Sequence, residues 1–380
     1  MRLPSKMKRR LPWRAALGVT LALSVLAKPS CGAATEKIPA HQWTSYLQVR
    51  GTVPEGEGGY LALRRLKAFG SGPVGQKGSY YIQFIYKDGN RSNTDGRLFL
   101  QEAWLKQAVA GGTLTLGQLK PPFGLERFIS DTVLPLIDRS QATDRLVPNG
   151  SLGRSFARDL GLQWDGSLGS VGYSAGAFLG NGANETIHGI GPLLVFRLLW
   201  DATSPLPSAG AVPKGVSPQA SARRFGMAAA VSWRRDRGLN LSGQLPGSGV
   251  LGYRRFIGRD VRETLGFSLT DRNATLQAEG FFAQYHSGEP GLPSTSATGG
   301  YVQAAYRWPR GWESAIRLET LNAGFAGPSA DSLTAWTVGI TDRLRGDREK
   351  LQLNYTREQV GGPRGSQRIW LLQYQRYLLD

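Results

Sequence analysis

Six basic side chains fall in one stretch of the chain: Lys120, Arg127, Arg139, Arg145, Arg154 and Arg158. Cations lining a narrow, partly dehydrated passage favour anions, because their charge is weakly screened there. Arginine's planar fork also matches the oxygens of phosphate. These six are therefore the candidate anion-binding residues. Asp131, Asp138, Asp144 and Asp159 are interleaved with them. The alternative is thus a solvated loop whose arginines pair internally. The loop as a whole is the stronger signal, as a segment that narrows a pore. No other chemistry presents itself. His41, His188 and His286 are scattered without metal-ligand spacing. Gly172-Tyr173-Ser174-Ala175-Gly176 has the Gly-x-Ser-x-Gly spacing but lies inside an alternating segment, and the Gly-x-Gly-x-x-Gly strings at 70–75 and 247–252 open no helical pattern, so neither a nucleophile elbow nor a phosphate loop is indicated. No catalytic residue, metal site or cofactor is nominated, and the chain does not read as an enzyme.

The elements that must position these cations alternate with period two. The long stretch 117–182 contains about 30 residues with almost no strand character, and short apolar-alternating segments flank it. A loop that long inside a compact chain is functional or disordered as a rule, and here it is expected to fold into a barrel. Expected strands before it run Trp43 to Arg50, Tyr60 to Phe69, Tyr80 to Lys87, Leu98 to Gln107 and Thr113 to Leu119. The alternation of the second is blurred by Arg64, Arg65 and Lys67. Beyond the loop come Asp159 to Asp165 and Val171 to Leu179, turning through Gly166-Ser167-Leu168-Gly169, and then Leu193 to Trp200. Residues 201–222, rich in Pro, Ser, Ala and Gly, read as a long exposed loop. Phe225, Met227, Ala229, Val231 and Trp233 then alternate with Gly226, Ala228, Ala230, Ser232 and Arg234, a strand with one bulky and one small or polar face.

The stretch 238–262 is open to one strand, two strands, or a strand plus a loop. Hairpins follow through Asp271-Arg272-Asn273 and Pro309-Arg310-Gly311. The last segments are Leu333 to Arg343, Lys350 to Glu358 and Arg368 to Leu378. Segments of about ten residues, aromatic-tipped and joined by tight turns and long polar loops, are the signature of a transmembrane barrel. Such a sheet must close, because an open edge in lipid would leave backbone groups unsatisfied. The fold class expected is all-β, a transmembrane antiparallel β-barrel of about 16 strands, with 18 possible. The soluble alternative is a large sandwich or propeller.

Composition agrees with export. Arg2, Lys6, Lys8, Arg9, Arg10 and Arg14 precede a mostly apolar run from Ala15 to Ala27, and Gly32, Ala33 and Ala34 are small. That is a cleaved signal-peptide pattern, its apolar run too short to span a bilayer. Residues 1–33 are expected to be removed, leaving 34–380 as the barrel domain. The one cysteine, Cys31, lies at the cleavage region and excludes a disulfide framework. With residues 1–33 gone, seven of 46 basic residues are lost, leaving 39 against 28 acidic. The balance falls from +18 to +11 and still favours anionic partners. After export, nucleic acid is not among them.

Several motifs together resemble the phosphate-selective porin O and P family. The run Gly117-Gln118-Leu119-Lys120-Pro121-Pro122-Phe123-Gly124-Leu125-Glu126 is similar to that family's Gly-Gln-Phe-Lys-x-Pro-Phe segment. Asp138-Arg139-Ser140 resembles its Glu-Arg-Ser, and Phe178-Leu179-Gly180-Asn181-Gly182 its Phe-Asn-Gly-Asn-Gly. Leu351-Gln352-Leu353-Asn354-Tyr355 resembles its penultimate strand. The resemblance runs from about residue 41 to the C-terminus. It implies a 16-stranded outer-membrane barrel, a homotrimer in outer-membrane lipid, passing anions passively. Lys120 and Arg139 fall on family motif positions. The chain departs from the pattern at its end, Tyr377-Leu378-Leu379-Asp380, where such barrels carry an aromatic residue read by the assembly machinery. The function expected is a passive channel for small anions, phosphate or polyphosphate. The alternatives are a general non-selective porin, or a non-conducting barrel used for adhesion or as an outer-membrane enzyme.

Overall fold

Alternation of apolar and polar residues builds the wall of the molecule. The computed structural model describes residues 41–86, 98–149, 157–184, 191–201, 224–240, 255–288, 290, 294–322, 332–361 and 365–379. The expected signal peptide, the expected loop at 201–222 apart from Asp201, and Arg154 lie outside these residues. The strands are β1 (Gln42–Pro54), β2 (Tyr60–Val74), β3 (Gly78–Tyr86), β4 (Leu98–Val109), β5 (Gly112–Leu119), β6 (Asp159–Leu168), β7 (Val171–Phe178), β8 (Leu193–Asp201) and β9 (Arg224–Asn240). They continue as β10 (Arg255–Asp271), β11 (Ala274–Ser287), β12 (Thr295–Arg307), β13 (Trp312–Asn322), β14 (Ser332–Asp342), β15 (Leu344–Asp347), β16 (Glu349–Val360) and β17 (Gly365–Leu379). Sixteen of them, all but the four-residue β15, close into one antiparallel barrel. Each pairs with its neighbours in sequence, and β17 returns to β1 with Val49 opposite Tyr374. The 16-strand expectation holds and 18 does not.

Lipid-facing and lumen-facing residues separate by parity. On β9 Met227 and Val231 are exposed, whereas Ala228, Ala230, Ser232 and Arg234 are buried. On β16 Leu351 and Leu353 face out, and Gln352, Asn354 and Glu358 face in. Aromatic side chains mark both ends of the apolar band. Trp43, Trp200, Trp308 and Trp312 lie exposed at the end with the tight turns, and Trp370 at the other.

The structure explains one irregularity, closes one open stretch and corrects one turn. The blurred alternation of β2 is a β-bulge: Gln48 pairs with Arg65 and Val49 with Leu63, which leaves Arg64 as the extra residue. A bulge lets two successive side chains face the same way, so Arg64 and Arg65 are both buried inside the barrel. The stretch 238–262 holds the end of β9 and the start of a 17-residue β10, so it contributes to two strands. The turn between β6 and β7 falls at Gly169-Ser170, because Gly166 to Leu168 extend the strand pairing to Leu168 opposite Val171.

Candidate functional site: the loop inside the barrel

The chain leaves β5 at Lys120 and re-enters the wall at β6 after crossing the lumen. Its first turn is at Gly124, with φ of 83°. A Cβ there would lie 2.8 Å from Glu279 Oε1, so glycine permits the close approach. The amides of Leu125 and Glu126 donate to the Glu279 carboxylate of β11 at 2.6 and 3.1 Å. A 3-10 turn, Glu126–Phe128, follows. The next residues run on to β16, β17 and β13. Lys350 Nζ and Gln352 Nε2 on β16 donate to the Leu134 carbonyl at 3.1 and 3.3 Å. Gln375 Nε2 on β17 donates to the Thr132 carbonyl at 3.2 Å, and Arg317 on β13 to that of Asp138 at 2.8 Å. Wall side chains thereby satisfy loop carbonyls that have no ladder partner, as buried backbone requires.

A short helix, α1 (Gln141–Leu146), completes the crossing. Ser140 is its N-cap, accepting from the Thr143 amide at 3.0 Å. Glu126 accepts from the Ser140 amide at 3.1 Å and Glu319 of β13 from that of Gln141 at 2.6 Å. Carboxylates at a helix start are stabilised by its unpaired amides. Ala142 and Leu146 pack on β12 at Gly299, where a Cβ would come within 3.1 Å of both. Arg262 of β10 then donates to the carbonyls of Leu146 and Val147 at 3.1 and 2.9 Å.

The expected residues take different positions. Arg139 pairs with Asp131 at 2.6 Å and also donates to the carbonyls of Glu126 and Ile129. Arg127 stands 3.6 Å from Asp144. Arg158, just before β6, pairs with Glu102 of β4 at 2.6 Å. Arg145 bonds Gln141 along the helix at 3.3 Å and is drawn by Asp144, Glu358 and Glu319. Lys120 is half-buried, with Nζ 5.8 Å from the centre of the Phe128 ring. Burial pushes its ammonium down to about 7 against the pull of Glu102, and Arg158, Arg127 and Arg139 push the same way. Lys120, Arg127, Arg139 and Arg158 therefore form one neighbourhood. Internal pairing holds for Arg127 and Arg139, whereas Asp159 accepts from Asn149 at 2.9 Å.

Sequence reading missed the wall cations that meet the loop. Arg50 of β1 grips Asp138 with two bonds of 2.9 Å, and Arg64 lies 3.5 Å from the same carboxylate. Asp131 accepts from Lys67 at 2.6 Å, from Arg65, and from Tyr46 at 3.3 Å. Burial alone would raise both carboxyls, but these cations hold Asp131 and Asp138 well below the usual carboxylate range. Arg197 of β8 was also missed. Its guanidinium carbon sits 4.4 Å from the centre of the Phe128 ring, the range of a cation–π contact, and its buried Nε has no hydrogen-bond partner. The usable signal was the doubled basic pair at Arg64-Arg65 in an otherwise alternating strand. Arg197 gave none beyond lying on the inward parity of β8.

Residues 43–314 match the family of phosphate-selective porins O and P. The chain belongs to that family. The match ends before Leu351–Tyr355, so that part of the sequence resemblance lies outside it. No curated protein sequence matches the chain. Solved structures share its fold at low identity. An anion-selective porin from Comamonas acidovorans is 11% identical, with TM-score 0.62 over 89% of this chain and 99% of that one. Salmonella typhi OmpF in complex with daunomycin is 13% identical, with TM-score 0.57 over 88% and 97%. The in-vitro folded trimer form of Vibrio cholerae OmpT is 12% identical, with TM-score 0.56 over 89% and 100%. Family and fold together make this porin an outer-membrane channel.

Proposed function

We propose that this porin passes small anions, with phosphate or polyphosphate as the favoured solute, selected where the loop narrows the lumen. The observation that carries the reading is a surplus of cations at that narrowing. Arg50, Arg64, Arg65, Lys67 and Arg139 share two carboxylates, Asp131 and Asp138, and Lys120 and Arg197 stand beside them on the Phe128 ring. In a confined lumen such a surplus is screened weakly and repels cations. The anion-selective character of the Comamonas protein supports the same reading. We further propose that the chain is exported with cleavage after Ala33, the mature protein starting at Ala34, and that it forms a homotrimer, as the trimeric OmpT form supports. The test is single-channel current in a planar bilayer with added phosphate or polyphosphate. Block at low phosphate concentration is expected. Current indifferent to both anions leaves a general porin, and no current from folded protein returns the adhesion or enzyme alternatives. Mass measurement of the purified protein checks the cleavage site.

A further inference from the structure

We infer that Asp131 and Asp138 are built-in stand-ins for the solute: the loop's carboxylates occupy the wall cations and thereby set how tightly the pore holds an anion. The inference rests on the reading that the pore takes anions, and names the residues that tune it.

Three observations separate this role from simple anchoring. The first is the contact pattern. Asp138 takes both outer nitrogens of Arg50 at 2.9 Å and lies 3.5 Å from Arg64, the fork geometry with which arginines hold phosphate oxygens. Asp131 is saturated on both oxygens by Arg65, Lys67, Tyr46 and Arg139.

The second is position. The Asp138 side chain is 27% exposed, whereas those of Arg50 and Arg64 are 8% and 4% exposed. The carboxylate therefore stands between the guanidinium groups and lumen water. An anion reaching these arginines must displace it or bind across it.

The third is redundancy. The loop is already fixed by bonds that involve neither carboxylate. They run from Glu279 to the amides of residues 125 and 126, from Lys350 and Gln352 to the Leu134 carbonyl, from Gln375 to the Thr132 carbonyl, and from Arg262 to the end of α1. Anchoring does not require Asp131 and Asp138.

The consequence is an affinity held low on purpose. Conduction needs a site favourable enough to enter and weak enough to leave. Five cations are paired with only two carboxylates, so this set stays positive and attracts a phosphate, and the carboxylates return to the arginines when it departs. Phosphate at the narrowing then exchanges with side chains already in place, with no need to strip bare guanidinium groups of water.

The experiment compares wild type with Asp138→Asn, Asp131→Asn and Asp138→Glu in planar bilayers, each folded barrel confirmed by circular dichroism. The reads are the zero-current potential in a KCl gradient, the phosphate concentration that halves the current, and passage of neutral sugars into liposomes. Each asparagine variant is expected to shift the potential towards anions and to lower the half-blocking phosphate concentration roughly tenfold, the scale of one charge contact. Sugar passage stays unchanged, and Asp138→Glu behaves as wild type. Unchanged or weaker block in Asp138→Asn overturns the inference. So does a larger current for both ions with larger sugars admitted, which would make the carboxylates anchors only. A cation-selective wild type refutes the anion reading itself, and the shift on substitution is still read separately.

Discussion

Two groups of cations meet the loop, and the fold treats them differently. Arg50, Arg64, Arg65 and Lys67 on β1 and β2 are each met by a loop carboxylate. Lys120 and Arg197 are held against the Phe128 ring and make no ion pair among the described residues. The first group is the larger source of charge, but much of it is spent within the protein. The second is smaller and has no carboxylate at ion-pair distance among the described residues. The same residue type thus has different consequences according to what the loop brings to it. Removing a cation from the first group takes an ion-pair partner from Asp131 or Asp138, whereas removing one from the second breaks no ion pair among the described residues.

The largest effect is expected from Arg64→Ala together with Arg65→Ala. The cations paired with Asp131 and Asp138 would fall from five to three, Asp138 keeping Arg50 and Asp131 keeping Lys67 and Arg139. Phosphate block should weaken about 100-fold, two charge contacts at about tenfold each, and anion preference should nearly vanish. Arg197→Ala should weaken block about tenfold without lowering thermal stability, because no carboxylate loses its partner. If the single substitution costs as much as the double, the distinction between the two groups fails.

A pH titration sharpens the comparison further. Lys120 carries its charge below about 7 and loses it as pH rises past that value. Anion preference should therefore decline between pH 6 and 8.5, by about one charge contact. Lys120→Arg should flatten the profile, since arginine stays protonated throughout. A wild-type profile that is already flat contradicts the pushed-down ammonium. The smallest effect belongs to Ser140→Ala, which removes the α1 cap. A loss of about 1 kcal/mol is expected locally, visible as noisier current with selectivity unchanged.

The barrel was largely written in the alternation. Strands such as β9 and β16 could be read from parity alone, because lipid on one side and water on the other impose opposite chemistry on successive residues. The loop was visible as an interruption of that pattern with paired-looking charges. Its partners were not. Arg50, Lys350 and Gln375 meet the loop from strands as far as 243 positions away in sequence, and only barrel closure brings β17 beside β1. The bulge at Arg64 left a trace, since two successive inward cations break period two. Arg197 left no trace, because an inward arginine looks the same whether a carboxylate or an aromatic ring receives it. Asp138 also read as a partner for loop arginines, and the closed barrel handed it to the wall instead.

The central claim is that positive charge prevails where the loop narrows the lumen. The zero-current potential of the wild-type channel across a tenfold KCl gradient tests it most directly. A potential with the sign of chloride passing faster than potassium is the result this account predicts. A potential with the sign of potassium passing faster would contradict it, whatever the current's size.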